Sequence, residues 1–412
     1  MSAKVLMSGI AAVAVAASTG SAFAGAFALR EQSAYAQGSS FAGAAAPGDS
    51  ISAMFWNPAA VTNAHGLTME SHHTFILPRS ELSVDPTQTP YAGLLGNGGD
   101  VGIDAYVPSS YTAYQVNDSL YLGVSVNAPY GLSTHSEAPW VGQADHLRAK
   151  VFSANVTPTV GYKVNDQLSL GVGVSVQYFK VDLERAAAPL GSASVDLSGD
   201  DVGFGFTAGL TYKPFDGTEI GLGFRSSISH ALDGDITVRG LTPTPLEFAI
   251  GADVELPETV TLGIRQKITD DFTLLGGVEW TNWSRLGTIP VKGAPTPTAL
   301  TFEYKDGWFF SLGGEYAWND QLTLRAGGAF ELSPVEDEHR SMRLPDNDRF
   351  WASIGATYKV SENLSLDASY SHLFVEDGKI DVNTSLGTNY YGGTAESDID
   401  IFAVSLRYSF GS

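Results

Sequence analysis

Several things are scarce in this sequence, and each absence excludes a class of protein. It has no cysteine, which excludes disulfides and thiolate chemistry. Beyond a short apolar run near the N-terminus, no stretch reaches the ~18 consecutive apolar residues of a transmembrane helix. Basic residues number 23 against 45 acidic ones, and the formal net charge of −22 argues against a nucleic-acid partner. Charged residues are only 17% of the chain while glycines number 45, which fits a closely packed β-protein.

The stretch from Leu168 to Tyr178 alternates between apolar residues and Ser, Gly or Gln. Strict period-two alternation predicts a β-strand with one apolar face and one small or polar face. The length of this stretch is close to the roughly 9–11 residues that a tilted strand needs to cross a bilayer. We therefore predict that it spans a membrane.

The same unit, a short turn followed by an alternating strand, recurs along the chain. Turns rich in Asn, Asp and Gly occur at intervals of roughly 50 residues, at positions 117–118, 165–166, 216–217, 270–271, 319–320 and 362–363. Each interval holds two strands and one longer loop. Six hairpins with one strand before and one after predict an all-β, antiparallel transmembrane β-barrel of about 14 strands over residues 65–412. A β-propeller with kelch-like blades is the alternative, but it requires four short strands per repeat.

The N-terminal residues indicate export. Lys4 supplies a positive charge, residues 10–17 form a short apolar segment, and Ala22-Phe23-Ala24 has the pattern of a cleavage site. We predict a cleavable signal peptide over residues 1–24. An exported chain with bilayer-length strands is expected in the outer membrane of a Gram-negative cell.

Residues 25–64 do not alternate, yet they carry more large apolar side chains than a disordered leader usually has. Among these side chains are Phe27, Phe41 and Trp56. We predict that this segment is a compact hatch, or plug, inside the barrel lumen. Charged residues on the inward faces of the strands, such as Arg265, Glu315 and Arg325, are expected to form structural pairs in the lumen.

The sequence shows few features that would carry catalysis. The motifs of serine hydrolases, zinc proteases, phosphate-binding loops and dinucleotide-binding folds do not occur. The paired His72 and His73 would point to opposite faces of a strand, so they cannot bind one metal ion. We therefore predict a protein that is not an enzyme and has no cofactor and no metal site.

Pro129 interrupts an alternating strand, and Gly131 follows two residues later. Proline cannot donate a hydrogen bond to a β-ladder, and a closed barrel has no edge strand to accommodate it. Two interpretations remain open: the strand has already left the membrane, or the barrel wall has a local break.

Four segments resemble the FadL family of outer-membrane transporters for long-chain fatty acids and other hydrophobic compounds. They are Gly25–Glu31, Asn57-Pro58-Ala59, Tyr130-Gly131-Leu132 with Thr134, and the long, specific segment SPVEDEHRSMRLPDNDRFW from Ser333 to Trp351. The resemblance covers essentially the whole chain after residue 24. It differs in one place, because the loop after Arg185 is short.

The resemblance implies a monomeric barrel with specific site residues. Arg185 and Lys305 would meet the carboxylate of a fatty acid, and Phe27 would line the pocket from the hatch. Asn57, Pro58 and Ala59 would belong to the hatch itself. Pro129, Tyr130 and Gly131 would form a kink in the third strand that opens the wall sideways.

Together these observations predict passive transport of long-chain fatty acids or similar hydrophobic compounds, with lateral exit into outer-membrane lipid. Aromatic hydrocarbons are the alternative ligands, since the family also includes toluene-uptake proteins. Two alternatives from other classes are an outer-membrane lipid hydrolase and a general water-filled porin.

Overall fold

The computed structural model describes residues 25–89, 91–383 and 390–410, so the predicted signal peptide lies outside the described residues. The helices there are α1 (Ala34–Gln37) and the 3-10 helices η1 (Ile51–Phe55), η2 (Pro58–Asn63) and η3 (Trp283–Arg285). In these ranges no helix has the length and apolar character needed to cross a membrane. The strands are β1 (Leu67–Val84), β2 (Ala105–Gln115), β3 (Leu120–Asn127), β4 (Gly131–His135), β5 (Arg148–Lys163), β6 (Leu168–Ala186), β7 (Ser194–Tyr212), β8 (Thr218–Arg225), β9 (Ile228–Arg239), β10 (Leu246–Leu256), β11 (Thr259–Lys267), β12 (Phe272–Thr281), β13 (Thr288–Val291), β14 (Thr298–Thr301), β15 (Gly307–Ala317), β16 (Leu322–Leu332), β17 (Arg349–Lys359), β18 (Leu364–Val375), β19 (Gly378–Asn383) and β20 (Tyr390–Phe410).

Eighteen of these strands form one antiparallel sheet, which closes because β1 pairs with both β2 and β20. Three spans of the wall consist of two segments each, namely β3 with β4, β8 with β9, and β10 with β11. Strand β19 pairs with the first residues of β20, from Tyr390 to Ala395, and adds no span of its own. The wall is therefore a closed barrel of 14 spans, as the sequence predicts.

The short turns at one end of the barrel are formed by asparagine side chains. The Asn117 Oδ1 atom accepts hydrogen bonds from two backbone N–H groups that follow it, at 3.0 and 2.9 Å. Asn165 and Asn319 do the same in their own turns. Asparagine is suited to this role because its short side chain can bond the backbone two residues on. We call this the turn end of the barrel, and the opposite end the loop end.

The two faces of the wall differ as the alternation predicts. On β6, Val172 and Val174 point outward and are 59% and 55% exposed, whereas Ser175 and Gln177 point inward and are buried. An outward apolar face suits lipid, which cannot hydrogen-bond to side chains.

Inward-facing charges form pairs between strands of the wall, as the sequence predicts. The Arg325 Nε atom donates to Glu315 at 2.7 Å, and Arg265 pairs with the other oxygen of the same carboxylate. Burial of these charges is tolerated because each has a partner of opposite sign.

Residues 25–64, which we call the plug segment, lie inside the barrel. Helix α1 contacts β17, β18 and β20, η1 contacts β2, and η2 contacts β5, β6 and β7. A segment that touches strands on all sides of a closed wall, while the outer faces of those strands stay exposed, occupies the lumen.

Glycine on the inner wall allows the backbone of the plug segment to approach it directly. A Cβ atom added at Gly223 would lie 1.7 Å from the Trp56 carbonyl oxygen, and one added at Gly221 would lie 1.8 Å from that of Ala45. No heavy-atom contact is that short, so any larger residue at these two positions would displace the plug segment.

We expect Gly223→Ala to displace the plug segment and let ions pass through the lumen. Planar-bilayer recording would show long-lived conductance steps in this variant and a closed wild-type barrel. The matched control is Gly251→Ala, where the added Cβ would have its nearest neighbour at 3.4 Å. A wild-type barrel that already conducts steadily would contradict the expectation and favour a general porin.

Candidate ligand-binding site

An enclosed apolar pocket of about 130 Å³ lies in the loop end of the lumen. We call it the lumen pocket. Its wall comes from β4, β5, β6, β7, β9 and β10 and from the loops at residues 282–306 and 333–348. The lining side chains are largely aliphatic or aromatic, and they include Phe27, Leu132, Val151, Phe179, Val181, Leu183, Leu197, Leu232, Ile250, Val254, Leu286, Ile289, Val291, Phe302, Tyr304 and Leu344.

The pocket forms because the inward-facing residues of a strand change from polar to apolar along its length. On β6 the inward residues Ser175 and Gln177 near the middle of the barrel are polar, whereas Phe179, Val181 and Leu183 toward the loop end line the pocket. A porin lumen is polar throughout. Along β6, this lumen is polar beside the plug segment and apolar toward the loop end.

One corner of the pocket is cationic. Arg343 lines the pocket, and its Nη2 atom donates to the Asp145 carboxylate at 2.7 Å and to the Asp145 carbonyl oxygen at 2.8 Å. Arg185 follows Leu183 on the same face of β6, and its charge interacts with those of Arg343 and Asp145. Burial lowers the pKa of the neighbouring His146 to about 3, so this imidazole is neutral. One guanidinium group, that of Arg343, therefore lines the pocket, and that of Arg185 lies within electrostatic reach of it.

The two cations predicted from the resemblance are placed differently. Arg185 lies near the cationic corner without lining the pocket, and its Nη1 atom donates to the Ala186 carbonyl oxygen at 3.1 Å. Lys305 is exposed outside the lumen pocket, and its Nζ atom lies 3.5 Å from Glu336. The neighbouring Tyr304 points into the pocket instead. The structure thus does not bring Arg185 and Lys305 together in the lumen pocket.

Arg343 is the cation that sequence reasoning missed. It belongs to the Ser333–Trp351 segment, which the sequence marks only through its resemblance to the family. Its partner Asp145 is 198 residues away, so no local pattern links them.

Phe27 forms a partition between the lumen pocket and a second cavity of about 60 Å³. Its ring packs against Trp283 with centroids 4.9 Å apart and against Tyr130 at 5.9 Å. Tyr130 and Trp283 line the second cavity, together with Pro129. The ring of Phe27 therefore lies between the lumen pocket and residues of the second cavity, which is also lined by Pro129 of the interrupted third span.

The third span is broken at Pro129. Strand β3 ends at Asn127 and pairs with β2 and β5, whereas β4 begins at Gly131 and pairs with β5. The third span is thus interrupted at Pro129, while the segments on both sides of the proline stay paired with β5. The Leu29 N–H donates to the Pro129 carbonyl oxygen at 2.8 Å, and the Gly131 N–H donates to the Phe27 carbonyl oxygen at 2.9 Å. The plug segment thus closes the break from inside.

Gln32 completes this closure. Its side-chain amide nitrogen donates to the Ala128 carbonyl oxygen at 2.8 Å, and its amide oxygen accepts from the Ala128 N–H at 3.3 Å. The backbone groups that the proline leaves without a ladder partner are satisfied by the plug segment, as buried backbone groups must be.

Asn57, Pro58 and Ala59 anchor the plug segment to the wall. The Asn57 side chain caps η2 by accepting the Ala59 N–H at 3.0 Å, and Pro58 takes the first helical position. The Asn57 amide nitrogen donates to the carbonyl oxygens of Ala45 (2.8 Å) and Leu210 (2.9 Å). This single side chain links two parts of the plug segment with β7.

The Ser333–Trp351 segment holds the N-terminal end of the plug segment. Asp346 accepts hydrogen bonds from the Ala26 N–H at 2.8 Å and from the Ser333 hydroxyl at 2.6 Å. Buried Arg340 fixes the loop itself by donating to the carbonyl oxygens of Asp346 (2.8 Å) and Lys379 (3.0 Å). In the described residues no group of three or more potential ligands is placed to bind a metal ion.

Glu31 is the least satisfied group of the plug segment. It is 1% exposed, and among the described residues neither carboxylate oxygen has a hydrogen-bond partner in good geometry. Burial is the largest cause that raises its pKa, to about 7, and nearby Glu331 adds to the effect. Seating of the plug segment therefore favours the protonated form of this residue.

These features define a class. A closed barrel with an apolar outer face, a filled lumen and an apolar pocket is an integral membrane β-barrel whose lumen is suited to hold a hydrophobic compound.

Sequence comparison identifies the family. The model of the family described as outer membrane protein transport protein (OMPP1/FadL/TodX) matches residues 14–410, and the chain belongs to this family. The family consists of transport proteins, which confirms the predictions of an outer-membrane location and of a function other than catalysis.

Individual relatives agree with this assignment. The chain is 26% identical over 440 residues to the long-chain fatty acid transport protein of Escherichia coli O6:H1, with 97% of each chain covered. The crystal structure of a Pseudomonas aeruginosa FadL homologue has a TM-score of 0.85 at 24% identity, covering 93% of this chain and 100% of that one. The toluene transporter TodX of Pseudomonas putida has a TM-score of 0.69 at 16% identity, covering 94% and 100%. These two structures show the shared fold.

We expect the plug segment to become easier to displace as pH rises. The pKa of Glu31 is about 7 when the segment is seated and 4.5 in water, so seating is fully favoured below pH 4.5 and loses about 3 kcal/mol as pH rises to 7. Glu31→Gln should remove this dependence, because glutamine stays neutral. Protease cleavage within the plug segment, measured between pH 5 and pH 8, would report it.

The matched control is Glu247→Gln, which changes an exposed carboxyl group in the same way and should keep the wild-type slope. Equal slopes in wild type and Glu31→Gln would contradict the expectation.

Proposed function

We propose that this protein carries long-chain fatty acids, or similar amphipathic hydrophobic compounds, passively across the outer membrane. The observation that supports this most directly is the lumen pocket, which combines an apolar lining with the guanidinium group of Arg343 and has Arg185 within electrostatic reach. An acyl chain needs an apolar wall, and a carboxylate taken out of water needs a cation or several donors.

The proposed route runs from the lumen pocket past Phe27 to the second cavity and then sideways through the break at Pro129, Tyr130 and Gly131. Displacement of residues 27–32 of the plug segment would open both the partition and the break, since the same residues close both. Lateral exit into lipid spares the apolar tail from crossing water. In this proposal residues 25–64 act as the hatch, and a single chain forms the complete path.

Aromatic hydrocarbons are a second candidate ligand class. The lumen pocket, at about 130 Å³, is close in size to the engineered cavity of about 150 Å³ that holds benzene in another protein. The relative from Pseudomonas putida is a toluene transporter. Such a ligand has no carboxylate and would not use the cationic corner, so the two candidates predict different effects of removing charge.

We expect Arg343→Ala and Arg185→Ala each to weaken oleate binding by roughly tenfold or more, since a charged hydrogen bond contributes about 1.5–3 kcal/mol. Toluene binding should stay unchanged in both variants. Calorimetry on purified protein in detergent would measure both ligands.

Lys305→Ala belongs in the same series, because it tests whether a cation outside the lumen pocket contributes to oleate binding. Arg239→Ala, which removes an exposed charge at the end of β9, is the matched control. Oleate affinity that survives loss of both arginines would mean that their charges are structural. Strong binding of toluene alone would favour aromatic hydrocarbons as the ligands.

We expect a disulfide between Ala28→Cys and Tyr130→Cys to block release of ligand into lipid. These two residues face each other as an antiparallel bridge whose flanking residues make the hydrogen bonds, which is a close pairing suited to a disulfide. Oleate uptake by cells should stop under oxidising conditions and return on reduction. Tyr130→Cys alone is the control, and undiminished uptake by the oxidised pair would argue against lateral exit.

A further inference from the structure

One side of the lumen pocket is closed by a loop instead of by the barrel wall. Strand β12 ends at Thr281 and β15 begins at Gly307, while β10 extends further toward the loop end without a strand of the main sheet on that side. Residues 282–304, which include the β13–β14 hairpin, fill this side. We call them the flap.

The flap has an apolar inner face and a polar outer face. Leu286, Ile289 and Val291 line the pocket and are at most 7% exposed. Lys292 and Glu303 lie on the solvent side and are exposed. The flap is thus as much a part of the ligand site as the strands opposite it.

The flap is fastened to β10 and the residues just after it by a small set of polar interactions. Two backbone hydrogen bonds join Gly251 and Lys292, at 2.8 and 3.1 Å. Arg285 donates to Glu255 at 2.8 Å and to Glu258 at 2.9 Å, and Lys292 pairs with Asp253. By contrast, β10 pairs with β9 along its whole length from Leu246 to Leu256.

Two of the three ion pairs are largely or partly exposed to water. The Lys292 and Asp253 side chains are 67% and 70% exposed, and Arg285 and Glu255 are 33% and 43% exposed. Glu258, which accepts hydrogen bonds from Arg285 and from the Asn282 side chain, is 14% exposed and is the firmest of these contacts. Exposed ion pairs contribute little to stability, because water screens them. The other loop over the pocket, residues 333–348, is held by the buried side chains of Arg340 and Asp346 and is the more firmly fixed of the two.

We infer that the flap is the moving wall through which ligand reaches the lumen pocket from the loop end. This inference rests on the proposed function. Detachment of the flap from β10 breaks the two backbone bonds to Gly251 and the ion pairs of Lys292 and Arg285. One of these pairs, Arg285 with Glu258, is half-buried, and the barrel ladder stays intact. An apolar ligand then packs against the inner face of the flap as it closes, so the apolar surface that opening exposes is covered again.

The test is a disulfide between Gly251→Cys and Lys292→Cys. The residues exchange both backbone hydrogen bonds, so their Cα atoms lie at about the 5.5 Å typical of such pairs, within disulfide range. A Cβ atom at Gly251 meets no neighbour closer than 3.4 Å. Because the natural chain has no cysteine, counting free thiols reports closure of the disulfide directly.

We expect oxidation to slow the loading of a fluorescent fatty acid into purified protein by at least tenfold, and reduction to restore it. The control is Asp235→Cys with Ala249→Cys, which joins β9 to β10 at a paired position and leaves the flap free. Oxidation of this control should leave loading unchanged. Arg285→Ala should act in the opposite direction and speed loading, because it removes the fastening to Glu255 and Glu258.

Two results would overturn the inference in distinguishable ways. If the oxidised pair and Arg285→Ala both load at the wild-type rate, ligand reaches the pocket by another path and the flap is a fixed wall. If the wild-type and reduced proteins bind neither oleate nor toluene, the proposed function fails and the inference fails with it.

Discussion

In a hydrocarbon layer every backbone N–H and C=O must find its partner within the protein, and the rest of this structure depends on that constraint. Closure of the sheet through β1 and β20 meets it for the wall. Pro129 creates an exception, because a proline cannot take part in the ladder. The plug segment meets the constraint there, by pairing with both sides of the break. The plug segment therefore supplies, at the interruption, the hydrogen bonds that the proline removes from the ladder.

The position of the plug segment follows from close backbone contact with the wall. Glycine at positions such as 221 and 223 lets the plug backbone lie against the strands, and Asn57 ties it to β7. The seat is stable without being perfect, since Glu31 is buried without a hydrogen-bond partner. This buried carboxyl group makes the seated plug segment less stable than its close packing alone would.

The polarity of the lumen differs between the middle of the barrel and its loop end. Polar residues surround the plug segment, while the apolar pocket above it is bounded by strands on one side and by the flap on the other. Phe27 separates this pocket from the cavity at the break. The ligand site is therefore assembled from the plug segment, the wall and two loops, none of which would bind an apolar ligand alone.

The sequence by itself determined the barrel, its number of spans, the turns and the outward faces, because alternation and turn chemistry are local and repeat many times. It also marked Pro129 as unusual and residues 25–64 as apolar. Only the tertiary structure decided that Pro129 breaks the wall and that Arg343 faces the pocket while Lys305 does not. Both depend on contacts between residues distant in the chain, such as Arg343 with Asp145, and no local pattern records such contacts.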